Sequence, residues 1–179
     1  FRGGGNPGAD AILNTGTNLA FQALTDATAN ATGIQHGGDV SPLTKHIVNA
    51  SAFSAAATTM PAVMMLVDLL GWYRVTTVTT TTAQTTNNTV TLPRYTDGAG
   101  VQAFFVNTNA TALGAGTPNL SLGYTNSAGT AGRATPATLP VGKTAAANGL
   151  ILHSGTGAGK YGPFVPLAAG DSGIRSIQT

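Results

Sequence analysis

Gly170-Asp171-Ser172-Gly173 places a hydroxyl in the four-residue setting of a serine nucleophile. Such a nucleophile needs a histidine base, a carboxylate partner and backbone donors for the oxyanion. The histidines are His36, His46 and His153, and none lies in the small-residue context that such a base has. A turn leading into a strand accounts for the four letters in full. Ser172 is therefore read as a turn residue and the chain as non-enzymatic, with no catalytic residue. Gly155-Thr156-Gly157-Ala158-Gly159-Lys160 invites a phosphate-binding reading. That loop needs a leading glycine, a hydroxyl after the lysine and a following helix. Ser154 stands where the glycine should, Tyr161 follows Lys160, and Pro163 and Pro166 bar a helix. The expectation is a surface loop and no cofactor. The three histidines and six aspartates show neither the i, i+4 spacing nor the dense acidic loop of a metal site, so no metal is expected. His46, beside an apolar stretch, reads as a hydrogen-bonded residue at the core edge.

Aromatic residues are the remaining candidates for recognition. Tyr124 alternates with Leu120 and Leu122 and belongs to a core. Trp72 and Tyr73 follow the most apolar stretch and read as core or interface rather than as a glycan platform. Phe1, Arg2, Phe21, Trp72 and Tyr73 form the candidate protein-interface set.

The elements that would position these residues are strands. Charged residues make up only 8% of the 179 residues, against about a quarter in an average soluble domain. There is no Glu, while Thr and Ala number 29 each and Gly 24. Thr suits pleated strands, Gly suits turns, and helix surfaces are usually built from the long charged side chains that are scarce here. Residues 1–40 read as an extended N-terminal arm. A short helical spacing falls near Leu19 and Leu24, with Thr17 as its cap. Residues 41–179 read as the folded domain, its C-terminal end incomplete. Strands are expected at 45–49, 63–70, 75–82, 90–92, 101–106, 119–124, 133–139, 150–152, 164–167 (an edge) and 174–177. Residues 51–59 read as small-residue packing or a helical turn. Residues 63–70 would be the central buried strand, with Asp68 paired to Arg74 or Arg94 or turned to an edge. Asp97-Gly98 and Asn126-Ser127-Ala128-Gly129 mark turns. Many short strands with frequent turns imply an all-β fold, a jelly-roll-like β-sandwich with at most one or two short helices.

Several partner classes drop out. The chain has no Cys, so disulfides, thiol nucleophiles and Cys-ligated zinc are excluded. The net charge is +2 and the bases are scattered, so no nucleic-acid partner is expected. No apolar run approaches the roughly 20 residues of a spanning helix, and no membrane partner is expected. Asn-x-Ser/Thr recurs at Asn30, Asn49, Asn87, Asn109 and Asn119, as chance allows in a chain this rich in Asn and Thr.

Four blocks carry a resemblance. Met64-Met-Leu-Val-Asp-Leu-Leu-Gly-Trp-Tyr precedes Asn88-Thr-Val-Thr-Leu-Pro-Arg-Tyr-Thr-Asp-Gly-Ala-Gly-Val-Gln-Ala-Phe. Leu120-Ser-Leu-Gly-Tyr-Thr-Asn-Ser-Ala-Gly-Thr-Ala-Gly-Arg and Tyr161-Gly-Pro-Phe-Val-Pro-Leu-Ala-Ala-Gly-Asp-Ser-Gly-Ile-Arg-Ser-Ile-Gln follow. Over about residues 40–179 this order resembles a group of tailed-bacteriophage virion structural proteins. The resemblance implies virion membership. Few charges and no catalytic constellation suit permanent protein–protein contact. The expectation is a capsid decoration or cement protein on the outer capsid surface. It would self-associate, with a trimer favoured, and bind the major capsid protein. The alternative is a head-fibre or tail-associated glycan-binding module. The long-helix pattern that the common tailed-phage shell protein would need is not seen.

Overall fold

Alternation along Leu120, Leu122 and Tyr124, and glycines spaced between apolar residues, dictate short strands joined by tight turns. The computed structural model describes residues 16–24, 40–46, 48–49, 67–74, 80–107, 119–136, 139–140, 149–151 and 163–179. In these the regular structure is strand only: β1 (Phe21–Ala23), β2 (Gly71–Tyr73), β3 (Phe105–Asn107), β4 (Asn119–Leu120), β5 (Gly123–Asn126), β6 (Arg133–Ala134), β7 (Leu139–Pro140), β8 (Gly149–Ile151) and β9 (Ile174–Ile177). The named strands pair antiparallel: β1 with β2, β3 with β8, β4 with β7, and a three-stranded sheet in the order β6-β5-β9, while the isolated bridges Asn18 to Arg74 and Ala20 to Asn87 are parallel. The described part of the chain is all-β, built of small antiparallel sheets.

The core lies on one face of the three-stranded sheet. Leu122, Tyr124, Val165 and Ile174 are buried there, with Ala103, Phe105, Leu167 and Ile177 packed against them. The turn expected at 126–129 closes the β5–β6 hairpin. Gly129 donates to the Asn126 carbonyl at 2.9 Å and takes φ +83°. The Asn126 side chain caps the same loop by accepting from the Thr130 amide at 2.8 Å. This is a three-residue hairpin with its last position left-handed, which is why glycine stands there.

The Asp97-Gly98 turn is present too. Gly98 donates to the Tyr95 carbonyl at 2.6 Å, and the Asp97 carboxylate accepts from the Ala99 amide at 3.0 Å. The turn lies directly on the start of β9. Gly100 donates to the Ser172 carbonyl and Ile174 to the Val101 carbonyl, both at 3.0 Å. A Cβ on Gly173 would overlap the Gly98 carbonyl oxygen and stand 2.8 Å from the Gly100 amide. Backbone meets backbone at this crossing, and only glycine leaves room.

Several expectations are corrected. Around Leu19 and Leu24 there is a strand, β1, and no helix for Thr17 to cap. Leu19 has φ +60°, outside the right-handed helical region, and Phe21 and Leu24 gain burial by pairing on β2. Phe21 is buried against Tyr73 of the same chain, ring centroids 5.2 Å apart. Of the strand expected at 63–70, residues 63–66 lie outside the described residues. Residues 67–70 are not strand, and Val67 and Asp68 are exposed. Asp68 is held at the surface by Arg94, whose Nε and a terminal nitrogen reach its carboxylate at 3.0 and 2.6 Å. A carboxylate there avoids the desolvation that a central strand would impose. Residues 45–46 and 48–49 are not strand, and His46 is exposed rather than at a core edge. Residues 80–82 and 90–92 are irregular, with Pro93 removing a donor beside the latter. Residues 164–167 contribute a single bridge, Phe104 to Phe164. Residues 51–59 and 155–160 lie outside the described residues.

The Gly98–Gly173 crossing predicts an asymmetry between two glycines. Gly173→Ala forces backbone apart and is expected to cost about 3 kcal/mol, the upper end for overpacking. Gly100, at φ +73° but facing open space, should lose only about 1 kcal/mol as Gly100→Ala. Urea midpoints of the two variants measure the difference, and equal losses would deny the crossing its role.

Candidate functional site

The turn before β9 presents the one carboxylate that the described core encloses. Asp171 donates its amide to the Ala168 carbonyl at 3.0 Å, and Gly170 at φ +85° takes the position that a type II turn reserves for glycine. This aims the Asp171 side chain, 4% exposed, beneath the β5–β6 hairpin. Three donors converge on it. The Tyr124 hydroxyl donates to Oδ2 at 2.6 Å, the Asn126 amide to Oδ1 at 2.7 Å, and Arg133 Nε to Oδ2 at 2.9 Å. The Tyr124 oxygen in turn accepts from the Ala168 amide at 2.7 Å, and Arg133 also reaches the Ala169 carbonyl at 3.3 Å.

Electrostatics follow from that geometry. The Arg133 hydrogen bond, then those of Tyr124 and Asn126, hold the Asp171 carboxyl at about 2, below its ordinary 3.8. Burial, reinforced by the bond to Asp171, pushes the Tyr124 hydroxyl up. The Asp171 hydrogen bond raises Arg133. A carboxylate this acidic is a poor general base, and three of its acceptor sites are taken by Tyr124, Asn126 and Arg133. The arrangement fixes structure.

Ser172 points elsewhere. Its hydroxyl lies 2.9 Å from that of Ser127 at the surface, and a neutral hydroxyl cannot take its proton as histidine would. His36 and His153 lie outside the described residues. A shallow depression of about 550 Å³ runs beside this turn, lined by Gln102, Phe164, Val165 and residues 166–172. No group of three metal-ligating side chains gathers among the described residues.

The sequence-derived interface set is divided by the structure. Phe1 and Arg2 lie outside the described residues. Phe21 is buried, and Trp72 and Tyr73 are half-buried in β2. Tyr73 is spent on the outer edge of β9. Its hydroxyl donates to the Asn88 side chain and accepts from the Ile177 amide at 3.3 Å. The Thr86 hydroxyl and the Asn88 amide, the latter at 2.5 Å, both donate to the Ile177 carbonyl. Burial pushes the Tyr73 hydroxyl up. The Asp171–Arg133–Asn126 cluster was not foreseen. Its available signal was Tyr124 itself, because a buried tyrosine needs a partner for its hydroxyl.

No family model, no curated protein and no solved structure matches the chain.

Three outcomes are expected. Tyr124→Phe leaves the Ala168 amide and one Asp171 lone pair unmatched and should cost about 1–3 kcal/mol in urea unfolding. Asp171 has a depressed folded pKa, so its contribution is complete above about pH 4 and is lost as pH falls toward about 2. Urea midpoints between pH 7 and pH 2 should show that decline, and Asp171→Asn should flatten it. Ser172→Ala should change stability by less than about 0.5 kcal/mol, and covalent labelling of Ser172 by a fluorophosphonate would contradict its structural role.

Proposed function

We propose that this chain is a non-enzymatic structural component of a tailed-bacteriophage particle, of the decoration or cement type. It self-associates, with a trimer favoured, and binds the major capsid protein on the outer face of the head. In this reading the small sheets belong to a jelly-roll-like sandwich over residues 41–179, preceded by the arm. It takes no cofactor and no nucleic-acid or membrane partner.

The observation that carries the reading is where apolar side chains stand. Leu43 is 75% exposed, Val48 96% and Tyr95 57%, and Val40, Val67 and Val90 are also exposed. Exposed apolar side chains of this size are available for burial against other chains. The resemblance of residues 40–179 to virion proteins names the assembly. The described carboxylate cluster supports the non-enzymatic part, because Asp171 is bound by three donors of the fold and held acidic by them. The mechanism is mass action: surface buried across capsid subunits lowers the free energy of the assembled shell. The glycan-binding alternative drew on exposed aromatics around Trp72 and Tyr73, and it finds less support now that both are half-buried and Tyr73 holds β9.

The test is addition of purified protein to head shells assembled without it. Saturable co-sedimentation and a higher shell disruption temperature are expected. Leu43→Asp should leave the urea midpoint unchanged and weaken shell binding about tenfold or more, about 1.4 kcal/mol. Absence of binding at micromolar concentration would sink the reading.

A further inference from the structure

Residues 18–24 lie in a slot rather than along an edge. On one side they pair with β2: Gln22 opposes Trp72, Leu19 donates to the Arg74 carbonyl at 2.7 Å, and Leu24 to the Leu70 carbonyl at 2.8 Å. On the other side stands Asn87, whose amide donates to the Leu19 carbonyl at 2.7 Å and whose carbonyl accepts from Phe21 at 3.0 Å. Phe21 and Leu24 are both buried. The floor under the Phe21 ring is bare backbone, since a Cβ on Gly71 would overlap both that ring and the Gln22 carbonyl oxygen. Backbone hydrogen bonds for affinity and side-chain seats for register are the features of a site that accepts an added strand.

Every partner in the slot is remote in sequence. About 45 residues separate Leu24 from Leu70, a contour of at most roughly 150 Å. The slot reads only the strand's sequence, so the same contacts form whichever copy supplies it. What favours the strand's own chain is the tether alone, an advantage that shrinks when copies are held side by side. Exchange of such an element between identical protomers is a low-cost route to an oligomer.

We propose that the slot formed by residues 70–74 and Asn87 is a strand-exchange site, filled in the assembled oligomer by residues 18–24 of a second copy. This rests on the reading that the chain self-associates, and it names the contact that does so. Phe21 is the anchor, and Gly71 is the residue that admits it.

The chain has no native cysteine, so a disulfide reports the exchange cleanly. Asn18 and Arg74 are bridge partners at exposed positions across the mouth of the slot. Full-length Asn18→Cys and Arg74→Cys proteins are mixed, unfolded in urea, refolded together and oxidised. Native mass spectrometry gives the oligomeric state, and a non-reducing gel gives the linkage. The expected result is an oligomer containing a disulfide-linked pair. Its yield should be at least tenfold above that of Asn18→Cys mixed with Ser127→Cys, and should fall severalfold when the Asn18→Cys chain also carries Phe21→Ala. An oligomer without the linked pair would overturn exchange and leave self-association standing. A monomer would overturn both. A linked yield indifferent to Phe21→Ala would overturn the slot as the docking site. The Asn18→Cys/Arg74→Cys double variant must close, within or between chains, and a failure to close would remove the slot itself.

Discussion

Beneath the β5–β6 hairpin the Tyr124 hydroxyl meets the Asp171 carboxylate, and the rest of the described core is arranged around that bond. Tyr124 is the largest fully buried side chain among the described residues, and its hydroxyl cannot be left dry without cost. Asp171 accepts from it, and the two together stitch β5 to the turn before β9. Arg133 on β6 and Asn126 at the hairpin end complete the carboxylate's shell. Both strands of the β5–β6 hairpin and the remote turn before β9 are therefore registered by one anion. The apolar part of this core, Leu122, Val165 and Ile174 around the Tyr124 ring, is small. A small core gives little specificity by packing alone, and a connected polar cluster adds to it.

Glycine does the complementary work. The crossing of residues 97–101 over 172–174 brings two backbones closer than any side chain permits, and Gly98 and Gly173 are the two residues in contact. Gly71 does the same for the Phe21 ring. A chain with few large apolar residues can still exclude water where backbones touch, provided their amides and carbonyls pair. They do so here through Gly100, Ser172, Val101 and Ile174. Glycine thus serves close approach at these positions as well as turns.

What was legible in the sequence is what local rules govern. Leu122 and Tyr124 stood out by alternation, the 126–129 turn by its Asn and Gly, and β9 by its apolar ends. The all-β class of the described residues followed from composition. What was not legible was decided at long range. Leu19 to Leu24 carries a helical spacing, and the partner that makes it a strand lies some 50 residues away in β2. Val67 to Leu70 is apolar enough for a buried strand, yet Asp68 stands at the surface, paired with Arg94. Asp171 read as a turn aspartate, which it is. That its side chain would lie under Tyr124 depends on a type II turn and a hairpin meeting in space, and no spacing in the sequence encodes that.

The same long-range contacts constrain how such a protein can join others. A sheet edge invites another strand, and edges are commonly blunted. Both Ile177 main-chain groups on the outer side of β9 are taken by the side chains of Tyr73, Thr86 and Asn88. Thr86 also donates its own amide to the Gln178 carbonyl at 2.9 Å. Growth of the three-stranded sheet past this part of β9 would have to break that cap. In the proposed assembly, contacts with neighbouring chains would instead use side-chain surfaces, where Leu43, Val48 and Tyr95 stand exposed, and the slot that β1 occupies. Tyr73 links the two halves of this logic. Its ring lines the Phe21 seat and its hydroxyl caps β9, so filling the slot and closing the edge depend on one residue.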